Sequence, residues 1–164
     1  MPEIVYRTIG EIHSPFRAVE GMPIQPSGAV GIKGTVKVFA EYCDGLKDLD
    51  DFSYIILIYH FHLSGGYTLQ TRPFMEEKVH GIFAIRAPSR PNPIGFSVVR
   101  LLGTEDCVLH IEDVDIADGT PLLDIKPYVP DFDGRETDRI GWLEAKSGRV
   151  TEHRADDRFK PENH

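Results

Sequence analysis

Apolar residues in this chain come in short runs, either alternating or nearly continuous, separated by clusters of Gly, Pro, Asn and Asp; this is the pattern of strands joined by turns. The strongest run is 54–63, where nearly every residue is β-branched, aromatic or otherwise apolar, so both of its faces are expected to be covered. Period-two geometry places Tyr54, Ile56, Ile58, His60 and His62 on one face and Ile55, Leu57, Tyr59, Phe61 and Leu63 on the other. Further strands are expected at 5–13, ended by Ser14-Pro15, and at 35–39, 80–86 and 96–102. A last one, 107–114, follows across a turn at 103–106. Residues 41–49 read as a short helix with Leu46 and Leu49 turned inward. Residues 136–146 read as a second, docking through Ile140 and Leu143 and weakened by Gly141. Past Ser147 the chain reads as disordered or dependent on a partner. Strands at short intervals with so little helix predict a mainly β protein, a small antiparallel β-barrel with one or two short helices.

Three stretches break the pattern. In 86–97, Pro88, Pro91 and Pro93 fix their own φ and push Ala87, Arg90 and Asn92 toward extended conformations. The result is a stiff arm between two strands that carries Arg86, Arg90 and Asn92, suited to holding polar groups against a ligand; a proline-rich turn with arginines in water is the alternative. In 115–130, Asp118-Gly119 is a turn dipeptide and Thr120-Pro121 opens an extended piece. Alternation there sends Asp124, Lys126 and Tyr128 to one side and Ile125 to the other. These polar groups either line a pocket or face solvent and pair with each other. The third stretch, 21–34, is a Gly- and Pro-rich loop whose small residues allow close approach to a ligand.

With 164 residues, 41% hydrophobic and 27% charged, the chain suffices for one soluble domain with a real core, taken as residues 1–130 followed by a charged extension at 131–164. No apolar run approaches a membrane span and the N-terminus has no signal-like core, which points to the cytoplasm. Cys43 and Cys107 stand in dissimilar contexts without metal-type spacing, so neither a structural zinc nor a disulfide is expected. His60 and His62 could share a metal on one strand face, but no third ligand has recognisable spacing, and no metal is expected. Eighteen Lys and Arg against 26 acids argue against a broad nucleic-acid-binding face. Much of the acid lies in 41–51, 105–118 and 131–162, leaving the arginines of the arm in a more neutral setting.

Taken together, residues 9–16 (Ile-Gly-Glu-Ile-His-Ser-Pro-Phe), Arg86, residues 90–95 (Arg-Pro-Asn-Pro-Ile-Gly), 118–121 (Asp-Gly-Thr-Pro) and 124–128 (Asp-Ile-Lys-Pro-Tyr) resemble the TrmO (YaeB) family, in the family's own order. The resemblance covers about residues 6–130. It implies S-adenosylmethionine-dependent methylation of N6 in N6-threonylcarbamoyladenosine at tRNA position 37, with threonine-accepting tRNA as the expected partner. It also implies a small β-barrel working as a homodimer, with the cofactor near the subunit boundary. By that resemblance Gln25, Pro26, Ser27, His62, Arg86, Arg90, Asp118, Gly119, Thr120 and Pro121 fall where the family contacts the cofactor. Asp124, Lys126 and Tyr128 match the catalytic trio. Longer relatives carry a further C-terminal domain where this chain has a short acidic tail.

Methyl transfer from a sulfonium is an in-line displacement, in which orientation alone can supply on the order of 7 kcal/mol. The nitrogen attacked is part of a urea and becomes nucleophilic only as its proton leaves, so a base and an anion stabiliser are expected. Asp124 or Tyr128 suits the first role, Lys126 or Arg90 the second, and Asp124 could instead simply orient Lys126. Arg86, Arg90 and Arg72 are candidates for the carboxylates of substrate and cofactor. Two other readings stay open: a methyltransferase acting on a different RNA or a small molecule, and a dimer that binds the cofactor without catalysis.

Overall fold

The computed structural model describes residues 1–18, 26–74 and 76–146. Six strands close into an antiparallel barrel: β1 (Gly10–His13), β2 (Lys33–Val38), β3 (Tyr54–His60), β6 (Ile94–Glu105), β7 (Val108–Glu112) and β8 (Thr120–Pro127). Their order around the barrel is β1-β2-β7-β6-β3-β8, back to β1. Two short strands, β4 (Gln70–Thr71) and β5 (His80–Gly81), pair as a separate ribbon. Among the described residues the one α-helix is a single turn, Pro130–Asp133, and the remaining helical pieces are 3-10 turns. The mainly β barrel expected from the strand pattern is what forms. No described helix is long and apolar enough to cross a membrane.

The core is the barrel's interior. Ile12, Val36, Ile55, Leu57, Val99, Leu109, Ile111, Val114 and Leu122 are fully excluded from solvent there. Along β3, Ile55, Leu57 and Tyr59 point inward, as period two requires. The opposite face is only partly covered, because the outside of a closed barrel has no second layer unless another element supplies one. A bulge sits where β8 pairs with β3: Ile58 faces Asp124 and Tyr59 faces Leu122, so Leu123 is the extra residue. The bulge switches parity. Leu122 points inward before it and Ile125 after it, which turns Asp124 and Lys126 outward.

Several sequence expectations need correction. The first strand begins at Gly10, not residue 5: Ile9 is the first residue with backbone hydrogen bonds to both sides, to Leu122 and from Phe39, and Val5 and Tyr6 before it are exposed. The expected strand 80–86 stops at Gly81 and gives way to a 3-10 turn, Ile82–Ala84. Ile82 and Ile85 are both buried, and a spacing of three brings them to the same side of such a turn where a strand would separate them. The helix expected at 41–49 is two 3-10 segments, Ala40–Leu46 and Leu49–Asp51, although Leu46 and Leu49 do pack on the core. The helix expected at 136–146 shortens to a 3-10 segment, Gly141–Lys146, that opens on a left-handed Gly141. Ile140 and Leu143 are exposed, and the segment meets the body through Trp142, whose Nε1–H donates to the Ala84 carbonyl at 2.8 Å and whose ring stacks on His80 at 5.2 Å, and through Lys146, 4.0 Å from Glu76. The tail beyond residue 146 lies outside the described residues.

Cys43 and Cys107 form a disulfide, contrary to expectation, with Cα atoms 5.3 Å apart. Pairing of β2 with β7 carries the turn after β2 to the tip of the β6–β7 hairpin, where the Val38 amide donates to the Cys107 carbonyl at 2.9 Å. That proximity is created by barrel closure, across 64 residues of chain, and local context does not show it.

Candidate functional site

The arm, 86–93, leaves the 3-10 turn at Ile82–Ala84 and enters β6 at Ile94, the residue paired with His60 at the end of β3. It is tied down from both sides. The Phe61 amide donates to the Pro93 carbonyl at 2.8 Å, and Arg90 folds back so that one guanidinium nitrogen donates to the carbonyls of Ile85 (2.8 Å) and Ala87 (3.2 Å). Arg90 therefore stiffens its own loop, and Arg86 is the exposed guanidinium, 6.0 Å from the centre of the Phe96 ring. At Gly95 any side chain would overlap the ring of Tyr59, which fixes glycine at the point where arm becomes strand.

Beneath the arm lies a buried polar chain that sequence reasoning missed. Ser97 Oγ donates to Asp115 Oδ1 at 2.7 Å; with that hydrogen committed, the Tyr59 hydroxyl donates to Ser97 Oγ at 2.8 Å. Burial pushes the Asp115 carboxyl upward, opposed by the Ser97 hydrogen bond and, more weakly, by the positive charge of Arg86. Burial likewise holds the Tyr59 phenol far above its ordinary value, so it stays protonated. In the sequence Asp115 was one acid in a long acidic run, and only the pairing of strands sets it against Ser97.

The turn before β8 sits on the same rim. The Thr120 hydroxyl donates to the Ala117 carbonyl at 2.7 Å, which leaves its oxygen to accept from His62 Nδ1, 3.4 Å away. Gly119 has φ +78°, the left-handed turn position that glycine serves. Asp118 accepts from the Ser14 amide at 3.0 Å and lies 3.2 Å from His13 Nδ1. The Ser14 amide, with help from His13, holds the Asp118 carboxyl below the usual carboxylate range. Pro121 pairs with Glu11 of β1. The sequence-predicted residues His62, Arg86, Arg90, Asp118, Gly119, Thr120 and Pro121 thus gather around one rim. Gln25 lies outside the described residues; Pro26 and Ser27 begin the 3-10 turn Pro26–Ala29, where only the backbone is described.

Asp124, Lys126 and Tyr128 do not join them directly. They run along the outer face of β8, opposite Ile58, Ile56 and Tyr54, so Lys126 lies about 20 Å along the strand from Thr120. Lys126 Nζ and Asp124 Oδ2 form a partly exposed ion pair at 2.7 Å, and Asp124 raises the lysine's pKa, chiefly by accepting its hydrogen bond. The Tyr128 ring meets Tyr54 edge to face, with centroids 6.4 Å apart.

Beside the three outward positions of β8 lies an apolar stretch of outer barrel wall. Ile58 faces Phe96, Ile56 faces Val98 and His60 faces Ile94 across the β3–β6 pair, and Phe96 and Ile94 are exposed. A cleft of about 550 Å³ lies at the opposite rim, lined by Ile9, Val38, Tyr42, Leu46, Leu49 and Phe52 among others. Its size suits a small molecule, and its wall is mostly aliphatic and aromatic, with Lys47, Asp48 and Asp124 as its charged members. The residues that the sequence assigns to the cofactor gather instead at the arm. No cluster of three potential metal ligands occurs among the described residues.

The family model described as the tRNA-methyltransferase O N-terminal domain matches residues 11–134. A Pyrococcus abyssi protein named "Probable S-adenosyl-L-methionine-binding protein" is 58% identical over 156 residues, spanning 95% of this chain and 85% of its own length. The tRNA (adenine(37)-N6)-methyltransferase of Escherichia coli K12 is 34% identical over 140 residues, with 79% of this chain covered but only 60% of that enzyme. The crystal structure of TrmO from Pseudomonas aeruginosa superposes with a TM-score of 0.74 at 30% identity, covering 95% of this chain and 77% of that one. With the motifs standing where the barrel gathers them, the chain belongs to the tRNA-methyltransferase O N-terminal domain family.

Proposed function

We propose that this protein is an S-adenosylmethionine-dependent methyltransferase acting on N6 of adenosine 37 in tRNA, with N6-threonylcarbamoyladenosine as the form it methylates, and that it works in the cytoplasm as a homodimer. The observation that carries the reading is the rim where the stiffened arm, His62 and the Asp118–Pro121 turn meet. These groups suit the cofactor. Arg86 supplies an exposed guanidinium for its carboxylate, while the partly exposed Asp118 carboxylate offers an acceptor for its polar hydrogens. When bound, the cofactor supplies a methyl group on a positively charged sulfur.

The chain's own residues have two tasks: to align the target nitrogen and to take its proton. For N6 to be methylated, its proton would have to pass to a base. Asp124 is the carboxylate of the trio on β8 and would take the proton, and Lys126, held charged by it, would stabilise negative charge developing on the urea. Within one subunit these groups stand away from the arm. A two-fold contact through the apolar outer wall around Ile58, Phe96 and Ile94 would cover that wall and bring one subunit's Asp124–Lys126 pair toward its partner's rim.

The test combines calorimetry with S-adenosylmethionine, sedimentation, and transfer of a labelled methyl group to tRNA from cells lacking the gene. Micromolar binding by a dimer, with label on the threonylcarbamoylated adenosine, is expected. A strictly monomeric protein that binds tightly removes the shared site. A dimer that binds the cofactor and labels no tRNA shifts the reading to a small-molecule substrate, which the net charge of -8 favours.

A further inference from the structure

We infer that the β4–β5 ribbon and the notch beside it form a stacking surface for unpaired nucleotides of an RNA loop. The inference rests on the proposed tRNA substrate and assigns that substrate's place of contact.

The ribbon pairs Gln70 with Gly81 and Thr71 with His80, and it is anchored by Ile82 and Ile85, which follow it in the chain and are buried. Its aromatic side chains are not part of that anchorage. Phe83, Phe74 and Tyr67 are 78%, 68% and 55% exposed, and folding alone gives no reason for three exposed rings in so short a stretch. The platform that carries them is braced. Glu76 accepts from the Glu77 and Lys78 amides at 2.7 and 3.1 Å and from His80 at 3.2 Å, and Trp142 stacks on His80 from the other side. Rigid aromatic faces bind bases with little ordering cost and tolerate any sequence.

Charge selects the partner. Between Phe52 and Thr104 the chain has five Lys and Arg against two acids, one of them Glu76, which is already engaged; the rest of the chain has thirteen against twenty-four. Arg72 and Lys78 are exposed among the rings. A second copy docked symmetrically here would set these cations against themselves, whereas a phosphate backbone meets them with opposite charge. The notch of about 160 Å³, lined by Ser64, Gly66, Tyr67, Arg90, Pro91 and Pro93, is smaller than the roughly 300 Å³ at which pockets for whole small molecules begin. It suits one flat ring against a phenol and a guanidinium. A chain acidic overall thereby gains a local means of holding RNA.

The experiment uses the full chain and a fluorescein-labelled tRNA anticodon stem-loop, titrated at several salt concentrations, with a blunt duplex of equal length as control. The stem-loop is expected to bind more tightly than the duplex. Phe83→Ala and Phe74→Ala should each weaken it by about 5- to 100-fold without changing the slope of log Kd against log salt. Lys78→Gln should lower that slope by about 0.7. Affinity for S-adenosylmethionine and thermal stability should stay as in the wild type. Aromatic variants that bind the stem-loop normally, a wild type that prefers the duplex, or variants that instead lose self-association each overturn the inference. If any of these occurs while methyl transfer to tRNA persists, the proposed function survives; if the wild type neither binds nor methylates RNA, both fall.

Discussion

The two rims of the barrel are built on different principles. The arm rim is polar and held by hydrogen bonds: Tyr59 to Ser97 to Asp115 beneath the arm, Thr120 to Ala117 beside it, and Asp118 to the Ser14 amide. The opposite rim is apolar, capped by Tyr42, Leu46 and Leu49 and closed by the Cys43–Cys107 disulfide. Hydrogen bonds fix direction as well as distance, which a site for an in-line displacement needs; packing and a covalent staple fix the chain without aiming any group. Stability is concentrated at one end and orientation at the other.

The largest expected effect tests that division. Cys43→Ser opens a loop of 64 residues, which in the chain-entropy account costs about 4 kcal/mol. The melting temperature should fall by about 10 °C in the unreduced protein, with cofactor affinity unchanged. An unchanged melt would mean that the cap holds by packing alone. A lost affinity would mean that the two rims communicate.

Next in size is the outer face of β8. Lys126→Ala and Asp124→Asn should each slow single-turnover methylation by about 100-fold, equivalent to about 2.7 kcal/mol, with cofactor affinity unchanged because the pair serves the target nitrogen and not the cofactor's polar groups. The double variant should be little worse than the singles, since the two side chains act as a pair at 2.7 Å. Unaltered rates in both single variants would remove the pair from the chemistry.

A smaller effect probes the hydrogen-bonded rim itself. Ser97→Ala leaves the Tyr59 hydroxyl and the Asp115 carboxyl without their shared partner, at a cost of about 1–3 kcal/mol. Cofactor affinity should weaken alongside stability, since Asp115 lies within the electrostatic reach of Arg86. Asp115→Asn keeps an acceptor oxygen toward Ser97 and should be milder in stability. Calorimetry and thermal melting separate the two, and a variant that loses stability yet binds normally would show that the polar chain only packs.

What the sequence could show follows the range of the forces involved. Strand β3 and the arm were legible because periodicity and proline act over a few residues, and Ile55, Leu57 and Tyr59 do face inward. That Asp124 and Lys126 share a side was legible from local alternation, but that this side is the outer one was not: it depends on the bulge at Leu123, without which Asp124 would follow Leu122 inward. Barrel closure decides the rest. The disulfide, the Ser97–Asp115 contact and the shortened first strand all depend on which strands become neighbours, and no local pattern encodes that. The end of the strand expected at 80–86 was misjudged for a related reason: β-propensity favoured Ile82 and Ile85 in a strand, but only a tight turn buries both.

The smallest effect concerns the base of the ribbon, where the chain's single tryptophan reports directly. Amide hydrogen bonds, that of Lys78 foremost, together with His80 hold the Glu76 carboxyl down at about 2. Because its pKa in the folded protein lies below the value in the unfolded chain, near 4.5, its contribution to stability is complete above about pH 4.5 and is lost as pH falls through about 2. Emission from Trp142, stacked on the histidine that Glu76 binds, should therefore show an acid transition centred near pH 2. Glu76→Gln carries no titrating group at that position and should lack this transition while keeping the wild-type spectrum at neutral pH. A transition centred near 4.5 in the wild type would mean that the carboxylate is not held by those amides, and that the ribbon stands on a looser footing than the arm beside it.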